Sequence, residues 1–265
     1  MTGTAAAVVF VLALGIQAPE GAGRREEPIP AFPGAEGFGT RTPGGRGGRV
    51  LAVTNLNPSG PGSLLEACQA RGPRIVVFRV GGTLRLTRPI EIREPFLTLA
   101  GQTAPGDGIC LRGAGLSIRT HDVVVRGLRV RVGDDPAGPD PENRDGIEIA
   151  DRPGEVYNVV IDHCSVSWAI DENVSTWYEC RDITFQWCLI GEGLMKSLHP
   201  KGGHSMGLLV GDHAKRDTVH HCLMVHNNGR NPLMKGDTEA EVINNVVYNY
   251  GYEATGFADP EGSGP

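Results

Sequence analysis

Residues 220–235 read HHCLMVHNNGRNPLMK, a short apolar run followed by a turn that carries Arg230, Pro232 and Lys235. The run TVHHCLMV (218–225) has counterparts elsewhere: VVVRGLRV (123–130), VVIDHCSV (159–166), ITFQWCLI (183–190) and VINNVVYN (242–249). Each is short, rich in β-branched residues and bounded by Gly, Asn, Asp or Pro, the mark of a strand rather than a helix. Aligned, they place Leu128, Cys164, Cys188, Cys222 and Val246 in one column, at steps of 36, 24, 34 and 24 residues. A period near 24 with insertions in the longer steps predicts a solenoid of stacked parallel strands. A propeller would need about four strands in every 40 or so residues, which this spacing does not supply.

Working outward, FLTLAGQ (96–102) and RIVVFRVGGTLRL (74–86) extend the series toward the N-terminus. GSLLEACQA (62–70) is predicted to form a short N-terminal helix. The Gly/Pro-rich stretch AFPGAEGFGTRTPGGRGG (31–48) is expected to cap the open first coil. It lacks the Lys-Ser/Thr ending of a phosphate-binding loop. In a solenoid, equivalent residues stack about 4.8 Å apart, so three cysteines in one column predict buried free thiols. A disulfide between neighbours is the alternative. The asparagines at run edges (Asn158, Asn244, Asn245, Asn249) suit turns or amide ladders.

The chain holds 38 Gly and 19 Pro, 57 of 265 residues, or about 21% against a usual value of roughly 12%. Spread along the chain, that excess fits a turn-rich all-β domain. A net charge of −6 gives no reason to expect a nucleic-acid partner, yet leaves room for an acidic ligand, because only the local field matters there. Residues 5–18, AAAVVFVLALGIQA, have the length of a signal-peptide core and are too short to span a bilayer. This predicts a signal peptide over 1–22, a linker over 23–30, and one β-helix domain over 31–265. The protein would be secreted or periplasmic, a monomer, and free of the membrane after cleavage; an uncleaved anchor is the competing reading.

Three segments offer chemistry. GDDPAGPDPENRDGIEI (133–149) puts five carboxylates in an insertion that leads into a strand. SWAIDENVSTW (167–177) places Asp171 and Glu172 at a turn 26 residues beyond Asp145, about one coil. Carboxylates from successive coils at a shared turn supply the hard oxygen donors that Ca²⁺ prefers; a solvated acidic loop explains them equally. GRNPLMK (229–235) carries Arg230 and Lys235, either a basic surface turn or a place to hold an anion.

Together, VIDHCSVSW (160–168), DGIEI (145–149) and Arg-x-Pro-x-x-basic (230–235) resemble the pectate lyase family of right-handed parallel β-helices. AFPGAEGFG, GGRGG, VTNLNPSGPGSL and AGQTAPGDGI resemble the N-terminal part of bacterial extracellular members. The resemblance covers residues 31 to about 252. It implies Ca²⁺-dependent β-elimination on an acidic polysaccharide, polygalacturonate (pectate). Asp145 and Asp171 would be Ca²⁺ ligands, with Glu172 a substitute ligand where the family's third carboxylate aligns with Ser175. Arg230 would be the base, and Lys235 would stand where the family has a second arginine, keeping the charge without the bidentate fork. Lys201 and His204 are candidates for the family's substrate-binding lysine. An arginine base implies an alkaline optimum. The competing functions are a β-helical glycoside hydrolase using a carboxylate pair, with Asp134, Asp135, Asp145, Asp162 and Asp171 available, and a non-catalytic carbohydrate-binding β-helix. Family members carry further C-terminal coils after a strand like VINNVVYN, so the β-helix is expected to be C-terminally incomplete.

Overall fold

The computed structural model describes residues 29–150 and 156–259; the signal-peptide region and nearly all of the linker lie outside the described residues. The chain winds through three parallel sheets in turn. Sheet I has eight strands running from Arg49–Val53 to Glu239–Ile243. Sheets II and III have seven each, from Gly82–Arg85 to Val246–Tyr248 and from Ile90–Ile92 to Gly256–Phe257. One full coil comprises Tyr157–Asp162 in sheet I, Ser165–Ser167 in sheet II and Glu172–Trp177 in sheet III, after which Arg181–Gln186 returns to sheet I. This is the expected parallel β-helix, right-handed as parallel crossovers are.

The core consists of columns. Val125, Ile161, Phe185 and Val219 stack in register on sheet I, each essentially inaccessible; burying such a side chain contributes about 1.5–3 kcal/mol. The turn from sheet I to sheet II is set by one left-handed residue per coil: Gly127, His163, Trp187, His221 and Asn244 all have φ between 50° and 64°. The next residue points inward, which builds the cysteine column. All six cysteines are free and buried, as the stacked-thiol reading expects. The alignment is corrected at the last coil. Because Leu223 pairs with Val246, Asn245 and not Val246 follows Cys222. Its amide accepts from Cys222 N (2.8 Å) and donates to Val219 O (2.7 Å), so a polar side chain takes the place of the apolar one in this coil.

The expected cap is also corrected. Residues 31–48 do not cover the first coil; they cross the outer face of sheet I. Gly39 N, Phe38 N and Glu36 N donate to Thr184 Oγ1, Thr218 Oγ1 and Gln186 Oε1 at 2.9–3.1 Å. A Cβ on Gly39 would lie 2.4 Å from Val159 O, which explains glycine there. Capping falls to the helix Leu64–Gln69, whose Ser63 accepts from Glu66 N and whose Leu64, Ala67 and Cys68 are buried. Arg74, fully buried beneath it, donates to the carbonyls of Ala67, Cys68, Glu94 and Pro95.

The insertions fall at the turn between sheets II and III. Residues 132–146 and 192–205 emerge there on two coils, and residues 226–232 on the next. Asp145, Asp171, Lys201, His204 and Arg230 therefore gather on one turn column at the start of sheet III, whereas Lys235 follows the strand Leu233–Met234 at its other end.

Candidate active site

The outer face of sheet III floors a cleft of about 410 Å³. Glu148, Ser175, Leu209 and Leu233 form one register row along that floor. Asp145, Asp171, Glu172, Arg230, Lys235 and Lys201 all line the cleft. His204 is not among its lining residues: it lies buried behind Asp171.

Asp145, Asp171 and Glu172 each bring a carboxylate oxygen within 4.8 Å of the others. Local hydrogen bonds orient them. Glu172 N donates to Asp145 Oδ1 (3.1 Å), and Ser175 Oγ donates to Asp145 Oδ2 (2.6 Å). Ser175, the position expected to lack a carboxylate, thus serves as a hydroxyl prop for Asp145. Burial, and then the neighbouring Asp171 charge, push the Asp145 carboxyl well above the usual range, with Ser175 and Arg230 pulling the other way. A buried group of like charges is costly unless compensated.

Arg230 supplies part of that compensation through an ion pair between its guanidinium and the Glu172 carboxylate. Arg230 has a left-handed backbone, φ 58°, on a turn secured from inside by an amide ladder. Asn173 Nδ2 donates to Asn227 Oδ1 (3.0 Å), Asn227 Nδ2 to Asn231 Oδ1 (2.9 Å), and Asn231 Nδ2 to Glu253 O (3.2 Å). Lys235 is nearly buried; its ammonium lies 3.3 Å from Asp212 Oδ2 and 4.8 Å from the centre of the Trp177 ring. Lys201, largely exposed, stands 3.9 Å from Glu142 of the acidic insertion. Arg144 ties that insertion down, donating to the carbonyls of Asp135 and Pro139.

Several participants escaped sequence reasoning. Asp212, the Asn173–Asn227–Asn231 ladder and Glu148, held by Ser117 and Arg119, owe their places to register between coils. His199 stacks on His204 at 3.8 Å; the HPKGGH spacing was visible, but not its closure on Asp171. Of the carboxylates considered for a hydrolase, Asp162 lies on sheet I, bound to Arg126 and Gln186, away from the cleft.

The donor set fits a hard cation: three carboxylates converge with only oxygen to offer. The cleft lining counts five acidic residues (Glu142, Asp145, Glu148, Asp171, Glu172) against three basic ones (Lys201, Arg230, Lys235). It can hold a polyanion well only if a cation offsets the excess.

A right-handed parallel β-helix with carboxylates and an arginine facing one cleft defines a class that the comparisons narrow. Probable pectate lyase C of Emericella nidulans is 44% identical over 222 residues, which is 83% of this chain and 48% of that protein. The Aspergillus flavus protein of the same description is 41% identical over the same shares. No family model matches. Among solved structures, the cedar-pollen allergen Jun a 1 superposes with TM-score 0.68 at 20% identity, covering 84% of this chain and 67% of that one. Pectate lyase Bsp165PelA from Bacillus sp. N165, in complex with trigalacturonate, superposes with TM-score 0.59 at 17% identity over 80% and 68%. In sequence the chain is similar to proteins described as probable pectate lyase C, and its fold is that of the pectate lyase Bsp165PelA. It spans about half the length of the curated relatives it matches.

Proposed function

We propose that this chain is a secreted polysaccharide lyase that cleaves polygalacturonate by Ca²⁺-dependent β-elimination, with Arg230 as the base. The supporting observation is the meeting, in one cleft, of the Asp145–Asp171–Glu172 oxygen cluster with Arg230. Ca²⁺ would be held by those three carboxylates and, when bound, would draw charge from a substrate carboxylate and acidify the adjacent C–H.

The chain's own residues do the rest. Lys235, fixed between Asp212 and Trp177, and Lys201 at the rim offer positive charge to the uronate carboxylates. Arg230 removes the C5 proton; the electron pair forms the C4–C5 double bond, and the glycosidic oxygen leaves from C4. An arginine is a base only when its proton is lost, so the rate should rise toward alkaline pH. The trigalacturonate bound by a structural neighbour supports the substrate class.

Absorbance-monitored digestion of polygalacturonate, with and without Ca²⁺, tests this reading, using Arg230→Ala as control. Elimination yields an ultraviolet-absorbing unsaturated product that disappears with chelator and in the variant. New reducing ends without that absorbance would mean hydrolysis, and binding without turnover a carbohydrate-binding β-helix.

A further inference from the structure

Two histidines converge on one oxygen of Asp171. His204 Nε2 lies 2.6 Å from Asp171 Oδ1, and His199 Nε2 lies 3.7 Å from the same atom. A carboxylate only accepts, so His204 Nε2 must carry the proton and donate. His199 Nδ1 accepts from Lys201 N at 3.2 Å, which places the proton of the neutral ring on Nε2, facing Asp171 beyond hydrogen-bond range. Both imidazoles are buried and stack with centroids 3.8 Å apart and planes within 6°.

A shared transition metal is the obvious alternative, since Asp171, His199 and His204 also bring donor atoms within 4.8 Å. The stacking opposes it. A metal about 2.1 Å from both Nε2 atoms would have to leave the plane of at least one ring, because parallel rings do not direct their lone pairs to a common point. His199 would also have to give up its acceptor role toward Lys201 N.

We infer that His204, buttressed by His199, is a positioning residue: it binds Oδ1 of Asp171 and commits the other oxygen to the cation held with Asp145 and Glu172. This rests on the cation reading of that cluster. The stacked pair His199 and His204 would thereby set cation affinity without touching substrate.

The test is calorimetric titration of the full chain with Ca²⁺, alongside lyase assays over a Ca²⁺ series. His204→Ala is expected to weaken Ca²⁺ binding about tenfold, equivalent to about 1.4 kcal/mol, with kcat at saturating Ca²⁺ within about threefold of the parent. His204→Gln, whose amide N–H reaches similarly far, should recover most of the affinity, which a merely structural role would not predict. His199→Ala should weaken binding about threefold. Parental affinity in His204→Ala, or no recovery in His204→Gln, overturns the inference. So does a Co²⁺ d–d spectrum in the parent that is lost in both histidine variants, because the pair would then be ligands. Failure of the underlying cation reading has its own signature: Asp145→Asn would leave the parent's Ca²⁺ isotherm unchanged, or that isotherm would be flat.

Discussion

Two aspartates sit either side of one strand of sheet III, Asp145 half-buried and Asp217 fully buried. Asp145 is met by Ser175 Oγ at 2.6 Å, on the outer face. Asp217 is met by Thr176 Oγ1 at 2.9 Å, inside the coil, where it continues the column Val123–Val159–Ile183. Burial raises the carboxyl pKa in both. The difference is company. Asp145 faces Asp171, Glu172 and, through Glu172, Arg230, so its cost is shared with groups that converge on a common space. Asp217 bonds the Thr176 hydroxyl among apolar neighbours, and the nearby Asp182 carboxylate is engaged by Arg181 and Arg216 instead. A perturbed carboxylate marks a site only when neighbouring charges are aimed at the same volume.

The largest effect belongs to the group that completes the outer cluster. Arg230→Ala should lower the elimination rate by about 10²–10⁴-fold, the usual contribution of a positioned base, with the fold intact by circular dichroism. Arg230→Lys, retaining charge without the guanidinium, should remain severely impaired. If either variant keeps parental turnover, the outer cluster is not organised around Arg230.

Next comes the direct contrast. Asp145→Asn should weaken activation by Ca²⁺ at least tenfold and let activity fall at a lower chelator concentration, because a charged hard ligand becomes neutral. Asp217→Asn should leave turnover and Ca²⁺ response within about twofold. Equal losses in the two variants would show that the inner aspartate acts through the strand between them, and the comparison would fail.

Much of this was legible beforehand, for a physical reason. A solenoid repeats its local chemistry, so the strand runs, their period and the cysteine column could be read from spacing alone. The candidate ligands and Arg230 stood beside strand ends, where turns present side chains to solvent. Hidden features were those set by stacking between coils or by long-range crossing. Nothing near residue 217 announces an inward aspartate, since the run KRDTVH has the period of its neighbours. The strap over sheet I depends on Gly39 approaching Val159 O, 120 residues away. His204 was weighed for substrate; its place against Asp171 arises from a loop that folds back on itself.

Stability against pH sharpens the comparison independently of catalysis. Asp217 has a folded pKa above its unfolded value: burial raises it most, the Thr176 hydroxyl lowers it and Asp182 raises it further. The folded state therefore holds its proton more tightly. The stability it contributes is complete below about pH 3.9, the ordinary aspartate value, and is lost as pH rises toward the folded pKa. Asp217→Asn cannot ionise and escapes that loss. The variant-minus-parent difference in Tm should be flat at acid pH and grow as pH rises above about 4. Each kcal/mol corresponds to about 2–4 °C for a chain of this size. The slope carries the test, because any shift from the new amide itself is the same at every pH. A difference independent of pH would place Asp217 in a polar setting.

The smallest effect concerns the cysteine column at the corner between sheets I and II. Cys188 lies between Cys164 and Cys222, its thiol facing the carbonyls of Gln186 (3.2 Å) and Ile161 (3.6 Å). Its hydrogen bonds with Cys164 and Cys222, and then burial, push that thiol up, so it stays protonated and packs as a small apolar group. Cys188→Ala should cost about 1 kcal/mol, the loss of one buried small group, with activity unchanged. Reductant should not move the parent's Tm, and thiol titration in denaturant should count six. A reductant-sensitive Tm would mean a bridge in place of the stacked thiols, and the column would then be a covalent staple and not a packing device.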